Sequence, residues 1–159
     1  MNETTPQARA AYITRILLLR RYHDAPGMTV SQVAKSLKMS YAGARRLLGN
    51  LSEHPELPVY RTQAGYYHAR YEPHGLGPAP REYTPSQRAS IVAQRMICRY
   101  LFEGEDYWTK EQMAVVAGLK PTSALKLLAT ISERGGVPAY YDPDSKKWRM
   151  EMSVFDENL

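Results

Sequence analysis

The sequence predicts a mainly α fold with small β-hairpins, arranged as two tandem copies of one module. The first observation is a repeat: in this chain of 159 residues, residues 44–53 match residues 124–133 in order and residue type. The second is a set of helix-start signals, and the third a pair of short β-prone stretches, found in both copies. Three prolines and two glycines between residues 73 and 80 predict a linker. The predicted parts are a first module over residues 1–72, a linker over 73–83, a second module over 84–152 and a tail over 153–159.

Each copy opens with a threonine followed by a proline, at Thr5-Pro6 and at Thr84-Pro85. A threonine hydroxyl caps the free amides at a helix start, and proline suits the first helical position. Apolar residues at helical spacing follow both pairs. The predicted first helices cover residues 6–22 and 85–102.

A short second helix follows in each copy. Thr29 with Gln32, and Thr109 with Gln112, have the spacing of a capping box, in which each residue caps a backbone amide near the other. The predicted second helices cover residues 30–37 and 110–117. After a turn of three residues, the predicted third helices cover 41–52 and 121–133.

The turn between the second and third helices favours a residue with positive φ, usually glycine. Gly118 fits this position in the second copy, whereas Lys38 departs from it in the first. Small residues are needed where two steeply crossing helices touch, and alanines stand there in both copies. The inner face of the third helices is predicted to hold Ala44 and Leu47, and Ala124 and Leu127.

Short stretches rich in aromatic and β-branched residues follow each third helix and predict a hairpin. A turn over residues 63–65 separates the first pair, and a turn over residues 142–145 separates the second. The predicted strands cover residues 59–61 and 66–69, and residues 139–141 and 147–150.

Three helices followed by a hairpin resemble the winged helix-turn-helix at the N-terminus of bacterial regulators of the biotin-repressor, DeoR and WYL kinds. The stretch over residues 136–142, with Trp148-Arg149-Met150, is similar to the wing of the WYL type. The two resemblances cover nearly the whole chain. They imply that the third helix enters the major groove of double-stranded DNA and that the wing contacts the phosphate backbone. They also imply a transcription regulator of bacterial, plasmid or phage type.

The candidate DNA contacts of the first module lie on the outward face of its third helix. Arginine pairs with guanine O6 and N7 through two hydrogen bonds and also grips phosphates, which makes Arg45 and Arg46 the central candidates. Ser40 either caps the helix or contacts a phosphate. The candidate set is Ser40, Tyr41, Ala42, Arg45, Arg46, Gly49 and Asn50 on this helix, with Arg61 on the hairpin.

The second module differs in charge. Residues 1–79 hold ten Lys and Arg against five Asp and Glu, whereas residues 80–159 hold eleven of each, so the net charge of +5 belongs to the first part. Leu125 replaces Arg45 on the outward face, which favours either a weaker DNA contact or a dimerisation element. A homodimer is therefore an open alternative. Trp148 is expected to pack beneath the hairpin. The candidate DNA contacts here are Lys120, Thr122, Lys126, Lys146, Lys147 and Arg149.

Catalytic and cofactor motifs are missing from the sequence. We find no phosphate-binding Gly-rich loop, no nucleophile elbow and no helical pair of histidines, so we expect neither an enzyme, nor a cofactor, nor a metal site, nor a small-molecule ligand. Cys98 stands alone in an apolar run and is expected in the core. The sequence shows no signal peptide and no membrane span, and we expect a cytoplasmic protein.

Two other functions stay open. A replication initiator with two winged helices would look the same in sequence. A protein-interaction factor like the tandem winged-helix subunits of chromosome-segregation complexes is disfavoured by the positive first module, without being excluded.

Overall fold

The computed structural model describes residues 5–71, 82–104, 107–133 and 136–151. These residues form a mainly helical protein with two small antiparallel sheets. The predicted tail over residues 153–159 and most of the predicted linker lie outside the described residues. The first module contains α1 (Pro6–Tyr22), α2 (Val30–Leu37), α3 (Tyr41–Leu51), β1 (Val59–Arg61) and β2 (Tyr67–Ala69). The second contains α4 (Pro85–Cys98), a π-helix (Arg99–Glu103), β3 (Tyr107–Trp108), α5 (Lys110–Ala117), α6 (Pro121–Glu133), β4 (Ala139–Asp142) and β5 (Lys147–Met150).

The helix starts follow the predicted capping residues. The Thr5 hydroxyl accepts a hydrogen bond from the Ala8 amide at 3.1 Å. Thr29 and Thr109 form complete capping boxes with Gln32 and Gln112. Each such cap stabilises its helix by about 1 kcal/mol because it satisfies amides that have no partner within the helix.

Two details differ from the sequence prediction. Helix α4 ends at Cys98, four residues earlier than predicted, and continues as a five-residue π-helix closed by Gly104 at φ 68°. The apolar pattern could not separate these, since both are helical and keep similar residues inward. Lys38 adopts the left-handed conformation at φ 53°, as Gly118 does at φ 66°, so both turns have the same backbone.

The two sheets share one plan. In the first module β1 and β2 pair antiparallel with Val59 opposite Ala69, and the backbone of Met28 bridges to Tyr67 through two hydrogen bonds of 3.0 and 2.7 Å. In the second module β3 pairs with β5 at the same place, with Trp108 opposite Trp148. In both modules, therefore, the segment before the second helix adds to the hairpin.

The modules pack on each other through their first helices. Helix α1 lies against α4, and one hydrophobic core includes residues of both modules. Fully buried alanines let the two helices approach closely, and the Thr14 and Ser90 hydroxyls form a buried hydrogen bond of 2.7 Å between them. Helix α3 also contacts α4, while α6 contacts α1. Each module thus presents the same kind of surface to the other.

A second, smaller cluster lies at the end of the predicted linker. Tyr83 is buried against Leu57 of the first module and Ile91 of α4. Its hydroxyl donates to Glu56 at 3.3 Å. The chain is therefore already packed at Tyr83, inside the linker predicted over residues 73–83.

Over the described ranges, no single helix is long and apolar enough to cross a bilayer. The pair Lys110–Ala117 and Pro121–Ser132, bent by 93°, reaches that length and apolarity only when its two helices are taken together.

Candidate nucleic-acid interface

The outward face of α3 carries the residues that the sequence predicted there. Tyr41, Ala42, Arg45, Arg46 and Gly49 are exposed, with Tyr41 at 56%. The buried residues of the same helix are Ala44, Leu48 and Leu51. Leu47, predicted for the inner face, is only half-buried, because the face that meets the core is centred on Leu48. The spacing of exposed and buried residues follows the helical period.

The start of α3 is fixed by Ser40. Its hydroxyl accepts a hydrogen bond from the Gly43 amide at 3.0 Å, so this side chain is the helix cap, one of the two roles that the sequence left open. Ser40 itself remains exposed. The first turn of α3 therefore reaches solvent beside Tyr41 and Ala42, and amides at a helix start favour a negative group.

Gly49 leaves an open space on the exposed face. A Cβ built at this position would meet nothing within 4 Å. A glycine inside a helix costs roughly 0.5–1 kcal/mol relative to alanine, and no contact within the described residues requires it. Together with Ala42, Gly49 gives a low surface around the two arginines, over which another molecule could approach the helix backbone.

Asn50 has a different role from its neighbours. Its side-chain oxygen accepts a hydrogen bond from the Thr84 hydroxyl at 3.0 Å, and its backbone oxygen accepts one from the side-chain Nε2 of Gln87 at 2.8 Å. Gln87 also donates to Glu53 at 2.9 Å. Asn50 therefore joins the end of α3 to the start of α4, and the structure does not group it with the exposed arginines.

Arg61 lies at the turn end of the first hairpin and is exposed. Its guanidinium lies beside the turn, 3.6 Å from the place that a Cβ on Gly65 would occupy. Gly65 has φ 89°, which only glycine adopts easily, and the Thr62 amide donates to the Tyr66 carbonyl at 2.8 Å to close the turn. Strand β1 contacts α3, so the hairpin packs next to this helix.

The outward face of α6 repeats that of α3 in burial but not in chemistry. Lys120, Thr122 and Lys126 are exposed, as predicted, and Leu125 is 39% exposed where α3 has Arg45. Leu127 is half-buried, and Ala124, Leu128 and Ile131 face the core. The second module therefore keeps two lysines on this face and replaces an arginine by an aliphatic side chain.

The second hairpin uses one of its three predicted cations internally. Arg149 donates from Nε to Asp142 at 3.0 Å, across the two strands. This bond, with further hydrogen bonds from Ser145 and the Asp144 amide, holds the pKa of the Asp142 carboxyl below its usual value. Lys146 is exposed at the turn with φ 58°, and Lys147 is half-buried. Trp148 is buried beneath the hairpin, which confirms the sequence interpretation.

A cleft of about 460 Å³ opens beside Leu125. Its wall is mainly apolar, from Leu125, Tyr141 and Trp148, and Lys110 and Lys146 contribute to its lining. The sequence pointed to Leu125 but not to this cleft, because the cleft requires α6, the start of α5 and the hairpin to meet.

Among the described residues, no group of three or more His, Cys, Asp or Glu side chains lies close enough to hold a metal ion. Cys98 is buried, as expected.

Comparison of the chain with protein-family models, with curated proteins and with solved structures gives no match.

Proposed function

We propose that this chain is a sequence-specific double-stranded DNA-binding protein with two winged helix-turn-helix modules, acting as a transcription regulator of bacterial, plasmid or phage type. The observation that carries the proposal is the exposed pair Arg45 and Arg46 on α3, a helix that a short left-handed turn separates from α2. This is the layout in which a third helix enters the major groove.

The proposed mechanism assigns each exposed group of the first module a part. Arg45 and Arg46 read guanine edges through paired hydrogen bonds. Ala42 and Gly49 let the helix approach the groove closely. The amides at the start of α3, capped by Ser40, lie next to a phosphate, and Arg61 contacts the backbone on the far side of the groove.

The second module has a weaker DNA surface in this proposal. Lys120, Lys126 and Lys146 are point charges that grip phosphates, and Thr122 is a small polar contact. Leu125 adds no hydrogen bond to a base and reaches at most a thymine methyl. The first module therefore supplies the sequence preference, and the second adds affinity.

A second candidate function for this face comes from the cleft beside Leu125. Its apolar wall suits a protein contact better than a phosphate chain, and a second copy of this chain would bury Leu125 in a homodimer. A replication initiator would need the same DNA contacts as a regulator, so the binding experiment below applies to both.

The test is a titration of labelled random duplex DNA with the full chain at two salt concentrations, followed by sequencing of the selected duplexes. Phosphate contacts release counterions, so we expect binding that falls steeply with salt and selection of a defined sequence. The double variant Arg45→Ala with Arg46→Ala should lose the selected sequence, whereas Lys35→Ala, at an exposed position on α2, should keep it. Absence of duplex binding even at low salt would overturn the proposal and favour a protein-interaction role.

A further inference from the structure

A second group of arginines lies at the other end of the first hairpin. A shallow, open site of about 300 Å³ is lined by Arg21 at the end of α1, Tyr60 on β1, and Arg70 and Tyr71 after β2. The Arg21 guanidinium stacks over Tyr71 at 4.7 Å from the ring centre, and that of Arg70 over Tyr60 at 5.0 Å. Both guanidinium groups thus lie within cation–π distance of an aromatic ring.

The two positive charges meet at one ring. Arg21 donates to the Tyr60 hydroxyl at 3.5 Å and to the Ala69 carbonyl at 3.2 Å, while Arg70 covers the face of the same tyrosine. A negative group that lies near both guanidinium groups is attracted by both charges. Within the described residues, two arginines and two tyrosines line the site.

The charges of these arginines act on two neighbouring side chains. His68 stacks on Tyr60, with ring centres 5.6 Å apart, and its pKa is lowered by burial and by the charges of Arg21 and Arg20. The pKa of Tyr71 is raised, because the effect of burial exceeds the opposing effect of the Arg21 charge.

The second module provides an internal comparison. The Arg70 amide donates to the Pro58 carbonyl at 2.9 Å, and the Glu151 amide donates to the Pro138 carbonyl at the same distance, so the two residues are equivalent. Counted from the caps Thr5 and Thr84, the position of Arg21 falls on Tyr100. The second hairpin therefore forms with a glutamate and a tyrosine at these positions, which means that the fold itself does not require the arginines.

From these observations we infer that Arg21, Tyr60, Arg70 and Tyr71 form a binding site for a phosphate group carried by a nucleotide or by a nucleic-acid backbone. Two guanidinium forks match the oxygens of a phosphate, and the Tyr60 hydroxyl is a further donor. This site is separate from the face of α3, and it does not depend on the proposed reading of DNA by that helix.

The experiment measures binding of inorganic phosphate and of deoxyadenosine 5′-monophosphate to the full chain by calorimetry and by NMR of the tyrosine rings. We expect saturable binding of the nucleotide, with chemical-shift changes at Tyr60 and Tyr71.

Arg21→Gln and Arg70→Gln should each weaken nucleotide binding about tenfold, because each removes a charge-assisted hydrogen bond. Lys35→Gln, which removes an exposed charge on α2 and is not among the lining residues, is the matched control and should leave binding unchanged. Arg70→Lys, which keeps the charge but not the fork, replaces Arg70→Gln if circular dichroism shows that the latter unfolds.

Two further arms identify the source of the phosphate. If it belongs to DNA, Arg21→Gln should weaken binding of long duplexes more than that of short ones. If it belongs to a free nucleotide, the variant should change nucleotide affinity and leave duplex affinity as it was. The Arg45 and Arg46 variants test the two proposals separately. If they lose duplex binding but keep nucleotide binding, the role of α3 and the phosphate site are independent of each other. The inference is wrong if neither nucleotide, phosphate nor duplex shows saturable binding that depends on Arg21 or Arg70.

Discussion

The two modules have the same backbone plan but different surfaces. Helices α3 and α6 begin at the same place after a left-handed turn, and their buried residues stand at equivalent positions. Their exposed residues differ, since Arg45 and Arg46 of α3 correspond to Leu125 and Lys126 of α6. Packing restricts the inward positions, whereas the outward positions carry no such restriction, and the different roles proposed for the two modules rest on this difference.

The comparison has to be made in the full chain. Helix α1 is buried against α4, and Asn50 of α3 is bonded to Thr84 and Gln87 at the start of α4. Cutting the chain between the modules would expose these surfaces to water. Matched substitutions at equivalent positions therefore compare the modules better than separated halves do.

The largest expected effect is on stability. Leu48→Ala and its equivalent Leu128→Ala each remove a fully buried side chain and should lower the free energy of unfolding by about 2–5 kcal/mol. Because one core spans both modules, each variant should shift a single cooperative transition, observed both by far-UV circular dichroism and by tryptophan fluorescence. Both tryptophans, Trp108 and Trp148, belong to the second module. A fluorescence transition whose midpoint is unchanged by Leu48→Ala would therefore contradict a shared core.

The next prediction concerns the arginines of the first module. Arg45→Ala and Arg46→Ala should each weaken binding of the selected duplex by about 1–3 kcal/mol if the arginine reads a base. The melting temperature should hold, because both side chains are exposed. The matched controls are Leu125→Ala and Lys126→Ala, which should weaken binding less, as measured by fluorescence anisotropy. Equal losses in the two modules would remove the proposed division between them.

Leu125 separates the two roles of the second module. If its cleft binds a second copy of the chain, Leu125→Asp should convert a dimer to a monomer in sedimentation. If this face lies on DNA, the same change should leave the mass as it was and weaken duplex binding, because the new carboxylate repels the phosphates. Leu125→Asn is the control for charge, because asparagine is similar in size to aspartate but carries no charge. A variant with unchanged mass and unchanged affinity would show that neither contact exists.

Most element boundaries were predictable because they depend on local chemistry. A capping hydroxyl, a proline at the first helical position and a left-handed turn act within four residues, and the sequence shows them directly. The packing of α1 on α4 was not predicted, although α1 carries a signal for it. Its run from Ile16 to Leu19 is buried throughout, which exceeds the single apolar face of a surface helix.

The candidate site was predictable only in part. Helical periodicity identified the exposed residues of α3 because Arg45, Arg46 and Gly49 lie on one face of one helix. The same reasoning could not show that Asn50 contacts Thr84, thirty-four residues away in sequence. The cluster of Arg21 with Tyr60 and Arg70 was missed for the same reason, since only the folded chain brings these residues together.

A smaller effect is expected at the turns between the second and third helices. Lys38 has φ 53°, which costs a residue with a Cβ roughly 1 kcal/mol relative to glycine, so Lys38→Gly should raise the free energy of unfolding by about that amount. The equivalent Gly118→Ala should lower it by a similar amount, since it introduces a Cβ at φ 66°. Urea denaturation of both variants measures the difference. A loss of stability in Lys38→Gly would mean that the lysine side chain makes a contact worth more than the strain.

The smallest effect is a difference between the hairpins in their response to pH. In the first hairpin, burial and the charges of Arg21 and Arg20 lower the pKa of His68 from 6.5, so the unfolded chain binds its proton more readily than the folded one. The contribution of His68 to stability is therefore present above pH 6.5 and is lost as the pH falls through 6.5 towards the folded pKa. In the second hairpin, Arg149 lies opposite Tyr140, at the position that His68 occupies opposite Tyr60 in the first. There the group with the lowered pKa is the Asp142 carboxyl. The contribution of Asp142 to stability is present above pH 3.8 and is lost only in stronger acid.

Hydrogen exchange of the strand amides measures this difference. Their protection should fall between pH 7 and 5 for β1 and β2 and stay constant for β4 and β5. The variant His68→Asn should remove the difference. An equal decline in both hairpins would assign the pH response to the shared core instead of His68.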